Sequence, residues 1–304
     1  MRTLAIVARA LSNSLRSEPD SARNVATDLI VTYHSILKRH DVPTMNIDCA
    51  GFADMGAPSD LLAQTEPARL AYDHLVKDGY VVLDRVLAPT MLAALDAAFA
   101  VRHDPPGDCF KIGGRRYALP VELSGAFADP LLYANPAIAA IVRVALDRSA
   151  ILKGFGAEVA LPDAEPQPID RNGRPLFDAD LSPLLPAHAL TCLLPLGRAH
   201  RVALWPGSHR WKMPNEEAVP ELLEISPASA AILDSRLLNG ATANRSDRPH
   251  TVLHAVYSRR WFRDASYGLR LAGARLAVGP EFLAGVAEVD RGLFAHIKKQ
   301  TLSG

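Results

Sequence analysis

The side chains able to do chemistry in this sequence are imidazoles, carboxylates and three thiols, and their spacing limits what each can do. His250 and His254 stand four residues apart, so on a regular strand they share a face. If that face lines a pocket, the sheet presents two imidazoles. His188 precedes the apolar run Ala189–Leu196, where strand alternation can aim it inward, an exposed histidine at the strand start being the equal alternative. A carboxylate and an imidazole converging in an apolar cavity acquire shifted pKa values and exchange protons with a substrate, which is general acid–base chemistry. His200 and Arg201 read as part of a solvated loop, and Arg115-Arg116 as a solvated pair. Cys49, Cys109 and Cys192 are odd in number and contain no C-x-x-C, which indicates reduced thiols rather than a disulfide framework or a zinc cage. Cys192 reads as a buried apolar filler.

The elements that must position these groups fall into three zones. Residues 1–65 form an N-terminal helical extension; Val25, Leu29, Ile30, Tyr33, Ile36 and Leu37 give an apolar stripe, and Pro43 stops it. Residues 66–150 alternate helix and strand: a helix over Ala68–Lys77, the Asp78-Gly79 turn, the strand Tyr80–Leu83, a helix from Pro89 to about Phe99, and another opened by Asn135-Pro136. Residues 150–262 are mostly β, with strands over Ala150–Ala160, Ala189–Leu196, Val202–Trp205, Ser229–Asp234 and Thr251–Tyr257. That succession predicts a sandwich or barrel. A C-terminal tail over 266–304, with a last helix from Val289, packs on the same domain. Lys plus Arg and Asp plus Glu balance at 33 each, which gives no field favouring nucleic acid or an anionic membrane. No apolar run reaches membrane-spanning length, and Arg9 interrupts the apolar N-terminus, so a cytoplasmic globular protein is expected.

Three stretches carry a resemblance. Leu75-Val76-Lys77-Asp78-Gly79-Tyr80-Val81-Val82-Leu83, Trp205-Pro206-Gly207-Ser208-His209-Arg210-Trp211, and Arg236-Leu237-Leu238-Asn239-Gly240 onward through Asp247 occur in the order and spacing of the phytanoyl-CoA dioxygenase family. The sequence resembles that family over residues 66–265. The resemblance implies a mainly β domain with flanking helices: a double-stranded β-helix, the cupin-like jelly roll, with its site in the barrel mouth. It also implies iron(II) held by two His and one carboxylate, and an Arg that clamps 2-oxoglutarate. In the matching run Gln167-Pro168-Ile169-Asp170-Arg171-Asn172, Asp170 stands for the first His and Asn172 for the carboxylate. Asn239 stands for the late His, and His250, eleven residues on, for the clamping Arg. His209, in a motif the family shares outside its metal triad, reads as a loop-fixing residue.

The ligand inventory then decides the expectation. Amide oxygens are weak ligands for iron, and imidazole cannot replace the five-donor fork of Arg. One carboxylate and two amides also fall short of the ~6 oxygens that Ca²⁺ or Mg²⁺ takes. No metal and no cofactor are therefore expected. The sequence supports a repurposed non-redox enzyme of isomerase, cyclase or lyase type in small-molecule or secondary metabolism, with Asp170, His188, Asn239 and His250 as catalytic candidates. Its partner is a small organic molecule in the barrel mouth; a homo-oligomer or a homologous dioxygenase subunit is the other partner class, with neither nucleic acid nor membrane. The alternatives are a non-catalytic partner subunit of an active homologue and an oxygenase with relocated ligands.

Overall fold

A computed structural model describes residues 46–49, 62–102, 109–173, 176–177, 181, 183–213, 215, 218–263 and 276–297. The helix expected over Val25–Leu37 lies outside the described residues. In chain order the elements are β1 (Asn46–Asp48), α1 (Glu66–Asp78), β2 (Tyr80–Asp84), α2 (Pro89–Arg102), β3 (Phe110–Gly113), β4 (Arg116–Pro120), α3 (Pro130–Tyr133), α4 (Pro136–Leu146) and β5 (Ile151–Ala160). There follow β6 (Asp170–Arg171), β7 (Ala189–Leu196), β8 (His200–Leu204), β9 (Glu221–Ile225), β10 (Ala230–Asp234), β11 (Leu238–Ala241), β12 (His250–Ser258) and α5 (Pro280–Gly285).

The strands form two facing sheets, ordered β1-β2-β10-β7-β12-β5-β4-β3 and β6-β11-β8-β9. Among these strands only the β1–β2 pairing is parallel. This is the jelly roll that the sequence predicts, left unclosed. The larger sheet is covered on both faces. Outward Leu83, Cys192, Ile232 and Leu253 pack with Leu75, Leu95 and Ile138 of the helices. Inward Val82, Leu193, Ala231 and Val252 meet Val202, Leu204 and Ile225 of the smaller sheet. Burial on both faces explains why Ala189–Leu196 reads as one apolar run rather than an alternating one. Cys192 is fully buried, as expected, and burial pushes its thiol up to about 12.

Local chemistry fixes the joints. Gly79 ends α1 at φ 85°, and its N–H returns to Leu75 O at 3.0 Å. A Cβ there would meet His209 Nδ1 at 2.5 Å. His209 Nε2 lies 3.1 Å from Val76 O, so it fixes the loop against the end of α1, the role expected for it. Asn135 caps α4, accepting from Ala137 N–H at 3.1 Å, while its amide donates to Val86 O at 2.8 Å. The C-terminal tail packs on the core, where Phe282 and Phe294 each set their ring edge-to-face 5.4 Å from Tyr133. Three departures stand out. The sequence pattern does not predict the hairpin β3–β4 or the short strands β6, β9 and β11. His200 lies on a strand rather than in a loop. β1, inside the zone read as an extension, pairs with β2.

Candidate active site

The early and late motifs do meet. Asn239 of β11 is in direct register with Asp170 of β6 on one side and Leu204 of β8 on the other. Sharing a face with inward Leu204, Asn239 points between the sheets and is half-buried. Its amide donates to Leu237 O at 2.9 Å. The Asp170 carboxylate is exposed and accepts the Arg171 N–H at 2.8 Å. Arg171 anchors this strand by donating to Arg236 O and Trp211 O, both at 2.9 Å. One exposed carboxylate and the amides of Asn172 and Asn239 do not suit iron(II). Among the described residues no three His, Cys, Asp or Glu side chains are grouped to hold a metal ion.

The opposite end of β8 from Asn239 faces a second constellation. Arg116 of β4 is in register with Ala160 of β5, and Ala160 with His250 of β12. Two residues along, Glu158 pairs with Val252; two further, Gly156 pairs with His254. These residues share the phase of inward Val252, so Arg116, Glu158, His250 and His254 all face the smaller sheet. His250 Nε2 lies 3.1 Å from His200 Nδ1 across the gap, with the rings stacked at 5.2 Å. Arg116 is 2% exposed and bonds Glu158 at 2.7 Å; Gln167 donates to the other Glu158 oxygen at 3.1 Å. Arg116 is thus an internal ion-pair partner, not half of a solvated pair.

His250 and His254 are nevertheless partly exposed. They lie on a central strand whose outer face is covered by helices, and their side chains face the smaller sheet. Gly154 and Gly156, opposite Val256 and His254 on β5, leave room there because they carry no side chain.

Burial sets the charge state of this lining. The His200 pKa is held well below the usual imidazole value, first by desolvation and then by His250, His254 and Arg116. His250 is lowered by desolvation and Arg116, with Glu158 opposing. His254 is lowered by desolvation, again against Glu158. His250 faces His200 and Arg116 rather than Asp170, and its pKa goes down.

A pH dependence follows. In the unfolded chain these imidazoles take protons below about pH 6.5. In the folded protein they resist protonation, so their contribution to stability is complete above pH 6.5 and is lost as pH falls. The fully titrating slope is about 1.4 kcal/mol per pH unit for each imidazole that stays neutral when folded. Urea midpoints measured from pH 7.5 to 5 should fall on the acid side, and His200→Asn should flatten that fall.

His188 is buried, 4.4 Å from the Phe262 ring, with the Lys153 ammonium 4.5 Å over the same ring. Its carbonyl accepts the Arg259 N–H at 2.9 Å, beyond the far end of β12 from His250. Nine residues of strand separate those ends, roughly 25 Å or more. The structure therefore brings Asp170 and Asn239 together, places His250 in a neighbouring cluster, and leaves His188 outside both. Sequence reasoning missed His200, Arg116, Glu158 and Gln167. The one available signal was alternation, which puts Glu158 in phase with Gly154 and Gly156.

Two facing, mostly antiparallel sheets with helices on the larger one define a cupin-type jelly-roll fold. Among solved structures, AviO1 from Streptomyces viridochromogenes Tue57 superposes with a TM-score of 0.50 and 16% identity, covering 65% of this chain and 97% of that one. HygX from Streptomyces hygroscopicus, solved with nickel, 2-oxoglutarate and hygromycin B bound, has a TM-score of 0.50 and 16% identity over 70% of this chain and 96% of its own. SnoN, an alpha ketoglutarate dependent epimerase from nogalamycin biosynthesis, is 19% identical at a TM-score of 0.47, covering 63% and 83%. No family model matches the sequence, and no curated protein matches it. Among the described residues no helix is long and apolar enough to cross a membrane.

Proposed function

We propose that the chain is a divergent relative of the phytanoyl-CoA dioxygenases that performs non-redox acid–base chemistry on a small organic molecule held between the sheets. The observation that carries this reading is the inward pair His250 and His254 beside Glu158, with His250 half-exposed. An imidazole kept neutral at physiological pH accepts a proton from a substrate carbon or hydroxyl. The neighbouring Glu158 charge favours the imidazolium so formed, and the proton returns at another atom of the same substrate. Isomerisation and cyclisation balance this way; in an elimination the proton goes to the departing group, and in a hydration it comes from the added water, so none of them moves electrons to an acceptor. Asp170 and Asn239, side by side at the mouth, orient polar groups of the substrate.

Purified protein is expected to hold far less than one equivalent of iron and to release no succinate from 2-oxoglutarate. Elemental analysis after anaerobic purification, together with a succinate assay, checks both. Iron near one equivalent, or succinate above background, would overturn the proposal in favour of an oxygenase with relocated ligands. A second reading, a non-catalytic partner of a homologous dioxygenase, draws support from Asp170 and Asn239, which bond to neighbouring backbone. Co-purification with such a homologue, with no turnover by the chain alone, would favour it.

A further inference from the structure

We infer that the corner between the sheets formed by Arg116 and Gln167 is a carboxylate receptor already filled by the chain's own Glu158. Arg116 donates from Nη1 to Glu158 Oε1 at 2.7 Å, and from Nη2 to Thr242 O at 2.6 Å and Glu165 O at 3.2 Å. Gln167 Nε2 donates to Glu158 Oε2 at 3.1 Å, and the Gln167 amide is oriented by the Ala241 N–H on its Oε1 at 3.3 Å. A guanidinium from β4 and an amide from the segment before β6 therefore converge on one carboxylate, and the backbone beside β11 holds both donors in place. A fixed guanidinium and an aimed amide are what selects a carboxylate over a neutral group. Arg116 is 2% exposed and would be costly to bury without that partner.

Glu158 reaches the cage from the adjacent strand, in register with Ala118 of β4. Being tethered, it holds the site at an effective concentration no free carboxylate matches. This gives the misfit with a 2-oxoglutarate co-substrate a cause beyond the loss of a clamping Arg at position 250. The inward guanidinium nearest that position is engaged by an internal acid. The inference rests on these contacts alone and stands apart from the acid–base reading.

Thermal unfolding of the full chain in acetate, acetamide and 2-oxoglutarate, at matched ionic strength, tests it. Wild type should be unmoved by acetate or 2-oxoglutarate relative to chloride. Glu158→Ala should melt roughly 5 °C or more below wild type, because it strands a buried cation. Acetate should restore at least half of that loss and acetamide none. Arg116→Met combined with Glu158→Leu should show no response to acetate. Equal effects of acetate and acetamide, a Glu158→Ala midpoint equal to wild type, or stabilisation of wild type by 2-oxoglutarate would each overturn the inference. Should Glu158→Ala not fold on purification, refolding it in acetate against acetamide reads the same preference: acetate-dependent recovery supports the filled receptor, and equal or absent recovery overturns it.

Discussion

Replacing Arg236 with methionine should cost about 3–5 kcal/mol of stability, because it strands a buried carboxylate. Asp234 and Arg236 are each 3% exposed and joined as a fork, Nε to Oδ1 at 3.0 Å and Nη2 to Oδ2 at 2.7 Å. Arg236 Nη1 also donates to Leu185 O at 3.0 Å, and its backbone N–H to Asp234 Oδ1 at 2.9 Å. Methionine keeps the stem and deletes three of these four bonds. The pair forms the turn between β10 and β11 and so sets where Asn239 lies. A chemical-denaturation midpoint well below wild type is expected. A double change, Asp234→Leu with Arg236→Met, should cost much less than the two single changes added together, since removing both charges removes the stranded one. A single Arg236→Met change costing under about 1 kcal/mol would show that the pair is not what holds this turn.

The second large effect is on turnover. His250→Ala should lower kcat/KM on the physiological substrate by about 10²–10⁴-fold, the usual contribution of a positioned acid or base, with the melting curve still cooperative. His200 faces the same space but is buried where His250 is half-exposed, so His200→Asn should cost less and chiefly move the acid limb of the pH–rate profile. Asp170→Asn is expected to cost less than ten-fold, because the carboxylate is exposed and already accepts a backbone N–H. Full activity in His250→Ala would remove the imidazole from the chemistry and leave the partner-subunit reading in front.

The sequence was most legible where burial is two-sided. β7, β10 and β12 announce themselves as apolar runs because helices lie on one side of them and the smaller sheet on the other. Motif order brought out the meeting of Asp170 with Asn239 across the β6–β11 ladder. The hairpin β3–β4 was not legible: it is short, and one of its strands is largely exposed, so no periodic pattern survives. The Arg116–Glu158 pair was hidden for a different reason. Its members are 42 residues apart, and charged residues in a sequence suggest solvent until a register places them inside. His200 was misread the same way. A histidine beside arginine looks like loop, yet alternation along β8 turns His200 inward and Arg201 outward to Glu224 at 2.6 Å. His188 shows the converse limit. Alternation suggested an inward side chain, but nothing in the sequence reveals that β7 and β12 run antiparallel and carry His188 and His250 to opposite ends.

The place of β2 in the larger sheet bears on how the chain is assembled. Its antiparallel neighbour is β10, with Tyr80 opposite Leu233, so the strand emerges early in synthesis and waits for a partner roughly 150 residues downstream. β1 and α1 precede β2 and can cover one edge and the outer face; until β10 exists, Val81, Val82 and Leu83 leave the other edge unpaired and Val82 bare on the inner face. Loop closure over such a span is an entropic toll that local hairpins such as β3–β4 escape. Nascent chains halted before residue 230 would therefore be the species most in need of a chaperone, and β2 the segment it would hold.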